Sequence, residues 1–460
     1  MINNIWPFRC PRWGSRFLLA GLLLAGVSFR AAAQQASRQD STISQGEGIY
    51  SVLKKFENLK FSGYIQPQFQ WAQSAGAPSF AGGNFAPQSN NRFMLRRGRI
   101  RMEYNMLTQK ELPSISFAFQ FDVTERGVQI RDFYGKIFEN KYSLFNVTTG
   151  MFSRPFGFEV NYSSSQREAP ERGRMSQILF RTERDLGVML SFDPQQKQHR
   201  FKNWRAEAGI FNGTGVAGPT DYDSHKDFIG RLTLEPTSIA KNILLSGSVS
   251  HYNGGVRQFG KQVYRMQQTL EGPGFAVDSA ETNIGQIAVR RYYGADAQIK
   301  FMNPWGTTEL RAEFITGRQP GNANSTEVPG SEPTTDQTSI INNQVVSSKV
   351  PLPVYNRKFN GAYFYLLQDI KTTRNQLVLK YDWYDPNTQI KEAQIGRLGS
   401  NTNVADIKFA TLGGGYIHNF SNNVRFTIWY DLVKNQPTQL SKYTRDYKDN
   451  VFTVKVMYRF

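Results

Sequence analysis

"NRFMLRRGRIRMEY", residues 91–104, carries five arginines in fourteen positions, on a stretch that otherwise alternates as a β-strand does. Arg97, Arg99, Arg101 and Glu103 share one parity. Met94, Ile100, Met102 and Tyr104 share the other, with Gly98 between them. A strand packed into a dry core cannot hold that row, because an unpaired buried charge is costly. A strand with one face on lipid and the other on a water-filled lumen can. Charge on the lipid face costs ~2–4 kcal/mol per residue at the bilayer midplane, whereas in a wet lumen it costs little and tunes selectivity. The stretch therefore reads as a pore-lining strand. Arg96 has the wrong parity for that face, unless it sits at the membrane edge or on a bulge.

The rest of the chain repeats the pattern. Period-2 segments bounded by turn residues fall near 60–72, 92–106, 113–124, 128–139, 144–152, 184–192, 202–212 and 225–235. The second half adds 241–253, 288–302, 306–318, 357–369, 373–386, 404–419, 422–435 and 447–460. That is sixteen, an even number, each near the length of a tilted membrane strand. Every second connection is short, several with Asn, Pro or Gly as in "MNPWG" and "NFSNN", and most of the others are long. Only the connection near 125–127 breaks the rule. A soluble sandwich has no reason to sort its loops this way. In "VFTVKVMYRF", Phe452, Val454, Val456, Tyr458 and Phe460 share one face, and Thr453, Lys455, Met457 and Arg459 the other. The reading is an all-β chain: a transmembrane antiparallel β-barrel of about sixteen strands over 60–460, with short periplasmic turns and long extracellular loops. The final Phe460 resembles the C-terminal signature of bacterial outer-membrane proteins in general, which places the chain in the outer membrane of a bacterial cell, against its lipid.

The N-terminus fits export. Arg9, Arg12 and Arg16 precede an apolar run from Phe17 to Phe29, and Ala31-Ala32-Ala33 follows. This spells a signal peptide over 1–33. Residues 34–59 are then a periplasmic leader, in which Ile49, Val52, Leu53 and Phe56 have the spacing of a short helix. Cys10 lies ahead of the apolar run, so it is no lipoprotein cysteine, and the mature chain has no disulfide. Its four scattered histidines form no pair at helical spacing, so no metal centre and no cofactor are expected. Loss of the four arginines of 1–33 lowers the net charge from +18 to +14. In an exported barrel that surplus points to anions rather than to nucleic acid.

The second informative stretch is 151–192, with the long connection 153–183; it holds Arg154, Arg167, Arg172, Arg174, Arg181 and Arg184, partly offset by Glu159, Glu168, Glu171, Glu183 and Asp185. The connection 153–183 is the candidate constriction loop. At this point a resemblance enters. "FMLRRGRIRMEY", "FQFDVTERGVQIRDFYGKI", "VTTGMFSRPFGFE", "ILFRTERDLGVML" and the closing "VMYRF" resemble the phosphate-selective porin O and P family of outer-membrane channels, over roughly 61–192 and the C-terminus. The resemblance implies a passive homotrimeric channel for phosphate or polyphosphate. It also implies an anion site formed by Arg96, Arg97 and Asp132, with Arg96 turned inward by a bulge at Arg96–Arg97. The family's lysine before the "x-P-F" turn is Ser153 here, with Arg154 following.

The expectation is thus a passive anion-preferring porin and not an enzyme. Arg97, Arg99 and Arg101 would form the wall, Arg96 and Asp132 the family-type site, and Arg154, Arg167, Arg172 and Arg174 the loop's basic lining. Guanidinium groups bind phosphate or carboxylate oxygens in two-pronged fashion, and a row of weak sites lets an anion enter and leave. A general diffusion porin for sugars or other nutrients, and a barrel enzyme or adhesin, are the alternatives. "GTGVAG" (213–218) is followed by Pro219 rather than by a helix, and "DYDSHKD" lacks the glycine and closing glutamate of a calcium loop, so both read as surface loops. Residues 319–350, rich in Asn, Thr, Ser and Pro, read as a flexible loop.

Overall fold

A computed structural model describes residues 58–108, 111–196, 198–216, 221–327, 333–341 and 344–460. The signal peptide and all but the last two residues of the leader lie outside them. The first half contributes β1 (Leu59–Ala72), β2 (Asn91–Leu107), β3 (Pro113–Thr124), β4 (Gly127–Phe138) and β5 (Phe145–Ser153). A single-turn-and-a-half helix, α1 (Arg174–Leu179), follows, and then β6 (Arg184–Phe192), β7 (Trp204–Phe211), β8 (Asp227–Ala240) and β9 (Ile243–Arg257). The second half contributes β10 (Gln262–Thr269), β11 (Gly272–Ser279), β12 (Ile287–Asn303), β13 (Gly306–Gly321), β14 (Thr334–Ile341) and β15 (Gln344–Pro351). It ends with β16 (Val354–Ile370), β17 (Thr372–Asp385), β18 (Phe409–Asn419), β19 (Val424–Asn435) and β20 (Val451–Arg459).

Sixteen of these strands close a barrel by antiparallel pairing of neighbours, and β20 returns to β1 with Tyr64 opposite Arg459 and Trp71 opposite Phe452. Closure leaves no free sheet edge, the condition for a sheet to cross hydrocarbon. The last residue completes the seam: the Phe460 N–H donates to the Gly63 carbonyl at 3.1 Å. The four remaining strands are loop hairpins. β10–β11 adds to the rim through a parallel pairing with β16, and β14–β15 forms its own two-stranded sheet. Within 319–350, residues 319–321 end β13 and residues 334–341 pair with 344–351, where sequence composition suggested a flexible loop. Likewise β18 starts at Phe409 rather than near 404, because Val404–Asp406 forms a tight turn capped by the Asn403 side chain.

Alternation holds all round. Ile100, Phe133, Val188, Leu232, Leu310, Phe364, Leu379, Ile428 and Tyr430 stand exposed on the outer face. Thr427, Trp429, Thr453 and Lys455 are buried within. An apolar exterior this extensive is stable only against lipid. The connections sort as the turn chemistry requires. At one end, residues 241–242, 304–305 and 371 make tight turns, with Asn242 at φ 65° and Lys371 at φ 60°. At the other end, all connections are long except residues 125–126. In such barrels the long-loop end faces outward and the short turns face the periplasm. A closed sixteen-stranded barrel with this exterior belongs in a bacterial outer membrane.

Two strands carry bulges, and both matter for the site. Across β1 and β2, Gln66 faces Arg97 while the next residue, Pro67, faces Leu95, so Arg96 is the extra residue. Across β3 and β4, Gln120 faces Asp132 while Phe121 faces Ile130, so Arg131 is extra. A bulge puts two consecutive side chains on nearly the same side. It also resets parity beyond it. Met94, expected on lipid, instead turns inward, where its sulfur accepts a hydrogen bond from the Gln68 side chain at 3.2 Å.

Candidate functional site: the arginine wall and the inward loop

The connection between β5 and β6, residues 154–183, folds into the barrel. Its apolar residues, Phe156, Val160, Ala169, Met175, Leu179 and Phe180, join one buried cluster with Tyr252, Tyr292, Phe359, Tyr363 and Trp429 of the wall. Phe156 stacks against Phe180 at 5.0 Å and meets Tyr292 edge-on at 6.1 Å. The polar backbone that such burial would strand is satisfied by the wall. Ser250 accepts from Gly157 N–H at 3.0 Å, and Glu313 accepts from Glu159 N–H at 2.9 Å. Arg311 holds Glu168 at 2.9 Å, and Arg425 donates to the Gln166 carbonyl at 3.2 Å. Gly157 has φ +60°, and a Cβ there would run into the Glu313 carboxylate, so any other residue strains the bend and displaces Glu313.

Opposite that core, the loop's carboxylates meet the arginines of β2 and β4. Glu171 takes Arg96 at 2.5 Å through one oxygen and Arg97 at 2.6 Å through the other. Burial works against the Glu171 carboxylate, but Arg96 and Arg97 outweigh it and hold its pKa well below the ordinary value. Glu183 takes Arg131 at 2.5 Å and Arg184 at 3.3 Å, and also pairs with Arg172. On the wall itself, Arg99 pairs with Asp122 at 2.7 Å and donates to Ser164 at 2.7 Å. Asp132 bridges Arg101 and Arg184, both at 2.8 Å, and Arg101 pairs as well with Glu103.

Thus Arg96, Arg97, Arg99, Arg101 and Asp132 all face the lumen, the first two in a cluster around Glu171 and the others in a chain through Asp122, Asp132 and Glu183, and the bulge resolves the parity conflict at Arg96. The wall arginines are not bare, however: each has a carboxylate partner. Counting Arg96, Arg97, Arg99, Arg101, Arg131, Arg167, Arg172 and Arg184 against Glu103, Asp122, Asp132, Glu171 and Glu183 leaves three positive charges in excess. The four loop arginines divide by task. Arg154 is buried under Phe180 and donates to the Thr182 carbonyl, bracing the loop's base. Arg172 donates to the carbonyls of Glu159 at 3.0 Å and Val160 at 3.2 Å. Arg167 is buried 4.0 Å from Glu171. Arg174, at the start of α1, faces a chamber beneath the long loops. Arg131 was not anticipated, and Arg184, expected with the basic residues of 151–192, belongs instead to the wall at the start of β6. The signal for Arg131 was present in the adjacent charges Arg131-Asp132, which an unbulged strand could not both turn to water.

Two spaces remain beside this network. One, of about 440 Å³, is lined by Arg96, Arg97, Arg99, Arg126, Arg131, Arg181 and Arg184, with only Asp122 and Glu183 as acids. The other, of about 660 Å³, lies under the long loops and shares Arg96 and Arg181 with the first.

No protein-family model matches the chain, and no curated protein matches its sequence. Solved structures do. DcaP of Acinetobacter baumannii aligns at TM-score 0.48 and 11% identity, covering 87% of this chain and 97% of that one. OmpF of Salmonella typhi aligns at 0.46 and 11% over the same shares. OprB of Pseudomonas putida aligns at TM-score 0.54 and 10% identity, over 90% of this chain and 96% of its own. With closure, strand count and loop sorting already established, the chain is a closed sixteen-stranded barrel of outer-membrane type that is similar in fold to OprB.

Proposed function

We propose that the protein is a passive outer-membrane channel that prefers anions, and that it is not an enzyme. The observation that carries this reading is the 440 Å³ cavity, with seven arginines against two carboxylates. Net positive lining in a narrow, low-dielectric passage concentrates anions and repels cations. Guanidinium groups favour oxyanions that accept two parallel hydrogen bonds, phosphate and carboxylate among them. The sequence resemblance to the phosphate-selective porins supports phosphate or polyphosphate as solute and a homotrimer as the assembly.

One observation favours a second reading. Every wall arginine is paired, so the network could act chiefly as a transverse field in a general diffusion porin for sugars or other small nutrients. Swelling of proteoliposomes separates the two. The anion reading expects potassium phosphate and potassium chloride to enter faster than a neutral sugar of similar size. Equal or faster sugar entry would favour the general porin. No entry of any solute would overturn both and return the case to a barrel enzyme or adhesin.

A further inference from the structure

The chamber of about 660 Å³ beneath the long loops is unlike the arginine cavity it adjoins. Its walls join apolar and aromatic side chains, Ile178, Tyr384, Ile407, Phe409 and Tyr443, to neutral polar ones such as Gln177 and Thr326. Arg174 projects among them. Its guanidinium carbon lies 3.6 Å from the centre of the Phe409 ring and 4.3 Å from that of Phe80, so it is held between two aromatic faces. Among the described residues no carboxylate oxygen comes within 4.0 Å of it, and its buried Nε has no hydrogen-bond partner. Elsewhere in the lumen, arginines are engaged by the protein's own carboxylates or, as with Arg154 and Arg425, by backbone carbonyls. Here a planar fork of donors is fixed in orientation by stacking and left unused, which is how an arginine is preorganised for an oxyanion.

The charges of the chamber limit the ligand. Arg96 is held by Glu171 and Arg181 by Glu327 at 3.0 Å, which leaves Arg174 as the chamber's arginine without an ion pair, with Asp449 also on the wall. A monoanion meets that guanidinium alone; a dianion brings a second charge with no unpaired arginine to meet it. A small inorganic anion would also leave the apolar part of the wall, Ile178, Tyr384, Ile407 and Phe409, uncovered. A carboxylate with an aromatic or aliphatic body gains on both counts.

We propose that this chamber is a capture site for amphiphilic organic monocarboxylates. The carboxylate takes the two-pronged bond of Arg174, and the apolar body lies against Ile178, Tyr384, Ile407 and Phe409. The site passes its occupant to the arginine cavity through the shared Arg96 and Arg181. This rests on the anion-channel reading and names a solute class for it.

The test is calorimetric titration of the purified, folded full chain in detergent with sodium benzoate, with inorganic phosphate as competitor. Saturable benzoate binding is expected. Arg174→Gln should weaken it about tenfold or more, since one charge-assisted pair is lost. Phe409→Leu, which keeps the charge and removes the stacking face, should weaken it less but measurably. Phosphate at equal concentration should not displace benzoate. Absence of benzoate binding, unchanged affinity in Arg174→Gln, or equal competition by phosphate would each overturn the proposal. If Arg174→Gln does not fold, Phe409→Leu and the phosphate competition still decide it. Chloride selectivity of the wild-type channel is read separately. A barrel that binds benzoate but shows no anion preference keeps this site and sinks the channel reading.

Discussion

At the scale of single residues, the side of the lumen built by β2, β4 and the inward loop is a contest between eight arginines and five carboxylates, and the carboxylates on the loop are the adjustable part. Glu183 contacts Arg131, Arg172 and Arg184. Glu183→Gln removes one negative charge from a region with a small positive excess, so anion preference should rise. Arg131→Ala should lower it. Opposite shifts of the reversal potential under a salt gradient would confirm the pair, and shifts of the same sign would refute the charge argument. Gly157→Ala has a different character. It adds a methyl at a positive φ and into the Glu313 carboxylate, so it should cost about 1–3 kcal/mol through backbone strain and displacement of the loop's base. Guanidinium unfolding of the purified barrel measures it, and an unchanged midpoint would show that the bend relaxes freely.

At the scale of elements, the bulges carry the most information. In an ordinary strand, deleting one residue flips every side chain beyond it to the other face. Here Arg96 and Arg131 are already the surplus residues, so deleting either should leave the cross-strand register intact: Gln66–Arg97 and Pro67–Leu95 in one case, Gln120–Asp132 and Phe121–Ile130 in the other. Each single deletion should therefore give a folded barrel, seen as heat-modifiable migration in detergent gels, whereas deletion of Arg99 should not. The inward loop makes its own prediction. Glu171 is held ionised below its ordinary value of 4.5, so its latch onto Arg96 and Arg97 is present above that pH and is lost only as pH falls through the lowered value. Protease resistance of the loop should therefore persist when the pH falls from 7 to about 4. Loss of protection near pH 5 would show that the latch is weaker than its geometry indicates. The strands were legible because alternation of side chains is a local property, and so was the existence of a long basic loop. The bulges were legible only as conflicts of parity, Arg96 beside Arg97 and Arg131 beside Asp132. The hairpin of β14 and β15 was not legible, since polar Thr, Ser and Asn residues make a strand only when a partner strand is at hand.

At the scale of the whole molecule, a closed apolar exterior surrounds a loop packed across one side of the lumen and an arginine-lined cavity on the other. Sequence alone placed the arginines on the pore side but could not reveal their partners. Glu171 and Asp122 are far from Arg97 and Arg99 along the chain, and only the inward fold and the ladder bring them to 2.6 and 2.7 Å. Nor could it separate Arg174 from Arg154 and Arg172, since which loop arginine braces the fold and which stays unused is decided by packing. The central claim is that the residual positive charge makes this passive passage prefer anions. It is tested most directly by the reversal potential of the wild-type channel in a planar bilayer under a potassium chloride gradient. The account predicts a potential of the sign set by chloride, reduced as salt is raised and the lining is screened. A potential of the sign set by potassium, or conducting channels with no ion preference at low salt, would contradict it.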